Sequence, residues 1–165
     1  MTPALTKHFG FLALLALLLA GCDKRASSRG EQIQVHKHEH KPLHHGTPVV
    51  LGDEEYHLEL VLDPAAGRMQ AYVMDGELEN FVRIQAQSFN IAARLPGREE
   101  ILKLIAVPNN ATGEKVGDTS LFETQAEWLK KTSSFEAVIK AVEVRGKSYQ
   151  NVPFNFPKGN DKDKP

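Results

Sequence analysis

The stretch Tyr56-His57-Leu58-Glu59-Leu60-Val61-Leu62 decides the fold class. Tyr56, Leu58, Leu60 and Leu62 recur at every second residue. A strand turns successive side chains to opposite faces, so these four share one apolar face. His57 and Glu59 fall together on the other face. Such a pair could serve as metal ligands or as an acid–base couple. Outward strand positions are usually polar, so the favoured reading is a solvent-facing pair.

The period of two continues on both sides. Asp63-Pro64-Ala65-Ala66-Gly67 reads as a turn, with proline setting φ and glycine free to take a positive φ. Residues 69–74 form a second strand, and Asp75-Gly76 the next turn. Residues 81–88 alternate again, with Val82, Ile84 and Ala86 opposite Arg83, Gln85 and Gln87. Residues 101–107 are rich in aliphatics and stop at Pro108, and 109–118 is a loop. Residues 135–144 and 148–156 are strands around a tight hairpin at Gly146-Lys147. Residues 121–131, with Leu121, Trp128 and Leu129, fit a short helix or a strand. This spacing predicts an all-β domain over residues 47–156, an antiparallel β-sandwich or a small barrel.

The flanks have a different composition. Almost nothing apolar lies in residues 23–46, which cannot bury enough surface to fold alone, so 22–46 is expected to be a disordered tether. Residues 157–165 consist of Lys, Asp, Gly, Asn and Pro, and are expected to fray.

The first residues carry an address. Lys7 and His8 precede an unbroken apolar run over 11–20, which closes on Leu19-Ala20-Gly21-Cys22. A charged start, an apolar middle and small residues before a cut are the marks of a secretory signal, here 1–21. The run is short for a bilayer span, which needs about 20 apolar residues. Cysteine at the cut makes this a bacterial lipobox, with acyl chains on Cys22. Several chains together hold a protein firmly to a membrane, where one chain is marginal. The expected location is the envelope, facing the periplasm, with the choice of inner or outer membrane left open.

Composition excludes several functions. The formal charge is −1, and loss of Lys7 with the signal makes it −2, so no basic field points to nucleic acid. Cys22 is the single cysteine, and acylation leaves no thiol for a disulfide, a thiolate ligand or a nucleophile. There is no Gly-rich phosphate loop, no His-Glu-x-x-His run and no Gly-x-Ser-x-Gly elbow. No catalytic residue is nominated, and the chain is read as a non-enzyme.

Five of the seven histidines crowd into His36-Lys37-His38-Glu39-His40-Lys41-Pro42-Leu43-His44-His45. Neutral imidazole is a common ligand of transition metals. In an extended chain His36, His38 and His40 point to one side, about 6.5–7 Å apart. With nitrogen donors and no sulfur, copper or zinc is the expected ion, held labile by His36, His38, His40, His44 and His45.

Gly52-Asp53-Glu54-Glu55-Tyr56-His57-Leu58-Glu59, then Asp63, Gly67 and Tyr72-Val73-Met74-Asp75, resembles a small β module near the N-terminus of periplasmic adaptor subunits of heavy-metal efflux pumps. Similar stretches occur in short stand-alone lipoproteins. The likeness spans residues 36–75, with a looser echo at 146–153. It implies metal handling in the envelope and an efflux partner. The chain has no room for the barrel and helical hairpin of an adaptor, so it corresponds to the module alone. The rival expectation is a membrane-anchored interaction or scaffold domain in which the histidine tract is only a spacer.

Overall fold

The computed structural model describes residues 41–161. The lipobox, Cys22 and three of the expected metal ligands, His36, His38 and His40, lie outside the described residues. Among those described, no helix is long and apolar enough to cross a membrane.

The domain is all-β. Eight strands, β1 (Thr47–Leu51), β2 (Tyr56–Asp63), β3 (Arg68–Asp75), β4 (Ser88–Leu95), β5 (Arg98–Ala106), β6 (Leu121–Gln125), β7 (Phe135–Val144) and β8 (Lys147–Phe156), form one antiparallel sheet. Their order is β1-β2-β3-β6-β5-β4-β7-β8, and the sheet curls into a nearly closed barrel. The period-two stretch is β2. Leu58 lies between Val49 and Val73, and Leu60 between Thr47 and Ala71, all buried. Ile91, Leu102, Leu104, Phe122, Ile139, Val142 and Phe154 complete the interior from the other strands. The β7–β8 hairpin turns at Arg145 and Gly146, both at positive φ (49° and 83°). Two consecutive positive φ values give the turn whose twist matches paired strands.

Two segments differ from expectation, and a third resolves an alternative that the sequence leaves open. Residues 81–87 do alternate in burial, with Val82 and Ile84 inside, but the chain makes only isolated bridges there, Met74 with Phe81 and Ile84 with Thr119. The regular ladder starts at Ser88 instead. Asn90, Ala92 and Ala93 have weak strand preference, and pairing with β5 and β7 overrides it. Residues 121–131 hold both expected alternatives in turn: β6, then a 3-10 turn over Glu127–Lys130 that buries Leu129.

The expected frayed tail is a correction over its first residues. Thr47 Oγ1 donates to the Pro157 carbonyl at 3.1 Å, and Gly159 pairs with Asn155. Asn160 then bonds both main-chain groups of Val50, accepting from its N–H at 2.7 Å and donating to its carbonyl at 3.2 Å. Residues 157–161 thus close the seam between β1 and β8. Two prolines explain why no ladder does: Pro48 and Pro153 lack an N–H, which suits them to strand edges.

Candidate functional site

β2 carries the site on its outer face. Register places Glu59 between Pro48 and Tyr72, and His57 between Val50 and Met74, opposite in direction to the core residues Leu58 and Leu60. The two polar residues therefore share the face that the sequence pattern gives them. They are not solvent-facing, however: both are 0 % exposed. This corrects the expected solvent-facing pair, and also removes a pair open to a substrate. The reason is a cover that strand periodicity does not encode. Residues 42–46 fold over this face from one side, and Leu78, 1 % exposed, lies in the loop after β3. His57 Nδ1 lies 3.3 Å from the Asp75 carbonyl.

Glu59 holds the cover down. Its Oε1 accepts the main-chain N–H groups of His44 at 2.7 Å and Gly46 at 3.0 Å. Its Oε2 lies 2.9 Å from His44 Nδ1. Both carboxylate oxygens are thus engaged with the cover, and since Nδ1 is the ring nitrogen beside Glu59, Nε2 is the one left for another partner. Gly46 fits because it has no side chain. A Cβ there would lie 2.7 Å from the Leu60 carbonyl oxygen and 2.8 Å from Glu59 Cγ.

Aromatic rings fix the imidazole in its plane. His44 stacks on Tyr72, with centroids 3.9 Å apart and planes 12° from parallel. Phe81 closes the other flank at 5.8 Å. Burial, and then the negative charge of Glu59, push the Tyr72 phenol above its ordinary pKa, so it stays protonated. The side chain of His44 keeps about a third of its surface (33 %) accessible while Glu59 keeps none. The result is an oriented imidazole backed by a buried carboxylate, the arrangement that metal-binding histidines commonly use to set tautomer and basicity.

The expected ligands are thus separated in what can be stated of them. His44 belongs to this assembly. His45 is exposed, at φ 56°, in a turn closed by its N–H on the Pro42 carbonyl at 3.2 Å. Among the described residues, no group of three or more His, Cys, Asp or Glu converges to hold an ion. The sequence reading missed Glu59 as the partner of His44, and missed the contacts that Tyr72 and Gly46 make with that pair. The available signal was a glycine two residues after a histidine, followed by a carboxylate on an otherwise apolar strand.

A second polar cluster lies at the end of the barrel. Glu55 Oε2 accepts from Lys147 Nζ at 2.5 Å and from the Tyr149 hydroxyl at 2.7 Å. These bonds lower the Glu55 pKa, Lys147 contributing most. Burial and then Glu55 raise that of Tyr149. The cluster ties the β1–β2 turn to the β7–β8 hairpin and is structural. Compared with known proteins, the chain matches no family model, no curated protein and no solved structure.

Proposed function

We propose that this chain is a non-enzymatic lipoprotein of the bacterial envelope, held to a membrane through Cys22 and facing the periplasm. Its histidine tract captures labile copper or zinc, and an efflux protein of the envelope is the intended recipient. Within the described part of the tract, His44 is the ligand whose ring is held by other side chains. The observation that carries the reading is the bond from His44 Nδ1 to the wholly buried Glu59, which leaves Nε2 as the donor. Further imidazoles come from His36, His38, His40 and His45, since one nitrogen alone does not hold an ion firmly. The resemblance of residues 36–75 to a module of metal-efflux adaptors points the same way.

Protons compete with metal for imidazole, whose ordinary pKa is about 6.5, so affinity should fall as the pH drops below neutrality. Calorimetric titration of Cu²⁺ and Zn²⁺ into the chain lacking residues 1–22 tests the proposal. Beside it stand a variant with all five tract histidines changed to serine and a His44→Ala variant. Tight binding by the parent, none by the fivefold variant and weakened binding by His44→Ala support capture with an anchored ligand. Equal or negligible heats for all three reduce the tract to a spacer, and leave the scaffold reading.

A further inference from the structure

We propose that the β7–β8 hairpin takes an extended segment of a partner protein as an added strand, in the groove between Glu143 and the chain ahead of β4. The inference is independent of metal binding. It starts from a place where two neighbouring strands part. β4 and β7 pair from Arg94–Glu136 to Asn90–Ala141, the last rung between them. Ahead of Ser88 the chain turns to another neighbour: Ile84 and Thr119 exchange main-chain bonds in both directions, at 2.9 and 3.3 Å. β7 meanwhile runs on beside β8 to Val144. The hairpin thus projects past its last rung with β4, and a groove of about 810 Å³ opens on that flank.

The edge of β7 in this groove offers a complete main-chain pair. Arg145 and Gly146 form the two-residue turn, so Val144 and Lys147 close the hairpin and spend their main-chain groups on each other. Hydrogen-bonding direction alternates along an antiparallel strand, which turns the N–H and C=O of Glu143 away from β8 and toward the groove. Among the described residues, no strand answers them there. A donor and an acceptor on one residue, set for a neighbouring strand, match another main chain. A lipid tail or an apolar small molecule would leave both unmet.

The lining suits a strand as well. Ile84 and Val142, each 3 % exposed, form the floor with half-buried Ala86. Arg83, Glu143 and Arg145 stand exposed at the rim. An inserted strand sends alternate side chains to the floor and to solvent. The floor calls for valine or isoleucine at every second residue. Arg83 is engaged by Glu114 and Asp118, which leaves Glu143 to sort the residues between them. A basic side chain opposite Glu143 is matched across the strands, and an acidic one is repelled. The partner segment is therefore alternately apolar, with lysine or arginine between two apolar residues.

The test titrates the end-blocked heptapeptide Thr-Val-Lys-Val-Thr-Val-Thr into the full chain in detergent, by calorimetry and by hydrogen exchange. The peptide should bind and slow exchange of the Glu143 amide about tenfold. A peptide with glutamate in place of lysine should bind the parent about tenfold more weakly, and Glu143→Lys should reverse that order. Methylating the main-chain nitrogen of the peptide's lysine should abolish binding, because it removes the donor that the Glu143 carbonyl accepts. Glu143 is exposed, so its substitution leaves the fold intact, which circular dichroism checks. No binding at millimolar peptide, equal affinity of both peptides for both forms of the protein, or tolerance of the methyl group overturns the proposal. So does a Glu143 amide that is protected without peptide and loses protection on dilution, which gives the edge to a second copy of the chain.

Discussion

Glu59 and His44 are fifteen residues apart in sequence and 2.9 Å apart between Oε2 and Nδ1, one of them wholly buried and the other open to solvent. The carboxylate therefore does two jobs at once. It satisfies two main-chain N–H groups of the cover, and it holds an imidazole through Nδ1, which leaves Nε2 for another partner. Replacing it by Gln keeps the size but sets an amide N–H₂ against N–H donors. Glu59→Gln should lower stability by about 1–3 kcal/mol, because buried donors lose a charged acceptor. The same change should weaken metal binding at His44 about 10–100-fold. Urea denaturation reads the first number and calorimetry the second. Loss of stability with unchanged metal affinity would separate the carboxylate from the binding role.

Gly46 is expected to be intolerant for a steric reason, not a conformational one. A methyl group there meets the Leu60 carbonyl oxygen, Glu59 Cγ and Val61 Cγ2, all at 2.7–2.9 Å. The backbone of Leu60 is fixed by β1 and β3 on either side, so the cover must yield. Gly46→Ala should cost about 1–3 kcal/mol, the usual range for overpacking. Hydrogen exchange at the His44 and Gly46 amides should speed up while that of Leu58, in the core, is much less affected. Protection unchanged at both cover amides would mean that the cover does not depend on this close approach.

The clamp at Glu55 gives a pH dependence with a definite sign. Its folded pKa lies below the ordinary glutamate value, through Lys147 first and Tyr149 next. A carboxylate with a depressed pKa adds stability that is complete above its unfolded pKa, about 4.3, and disappears as the pH falls through the folded value. The gap in denaturation midpoint between the parent and Glu55→Gln should therefore be constant near neutrality and close in acid. The clamp is exposed, so screening should keep the gap small and make it shrink with salt. A gap that widens in acid would assign the opposite sign and reject the clamp.

What the sequence makes legible is what a local period can carry. β2 is readable because Leu58 and Leu60 alternate with polar residues, and the β7–β8 hairpin because Gly146 sits between two alternating runs. β4 is not, because Ala92, Ala93 and Asn90 prefer no strand, and only the ladders to β5 and β7 make them one. β1 is obscured by its brevity and by Pro48. The histidine tract is visible as composition, yet its one described anchor is not, because the bond from His44 to Glu59 exists only once β2 is folded. Burial of His57 and Glu59 fails for the same reason. Periodicity assigns them to the outer face correctly, but a loop from elsewhere decides whether that face meets water.

The seam offers the last test. Val50 is the β1 residue whose N–H and carbonyl both turn toward β8, and Asn160 answers both with one carboxamide, as a neighbouring strand would. Asn160→Ala should remove both bonds and cost about 0.5–1.5 kcal/mol, the net worth of a hydrogen bond or two in a half-buried place. Exchange of the Val50 amide should accelerate far more than that of Val49, which lies inside the barrel. Asn160→Asp divides the two contributions. It keeps an acceptor for the Val50 N–H but offers no donor to the Val50 carbonyl, so the amide should stay protected while stability falls. If instead Val50 exchanges slowly in Asn160→Ala, the seam is closed by the bonds of Thr47 and Gly159, and Asn160 contributes nothing of its own.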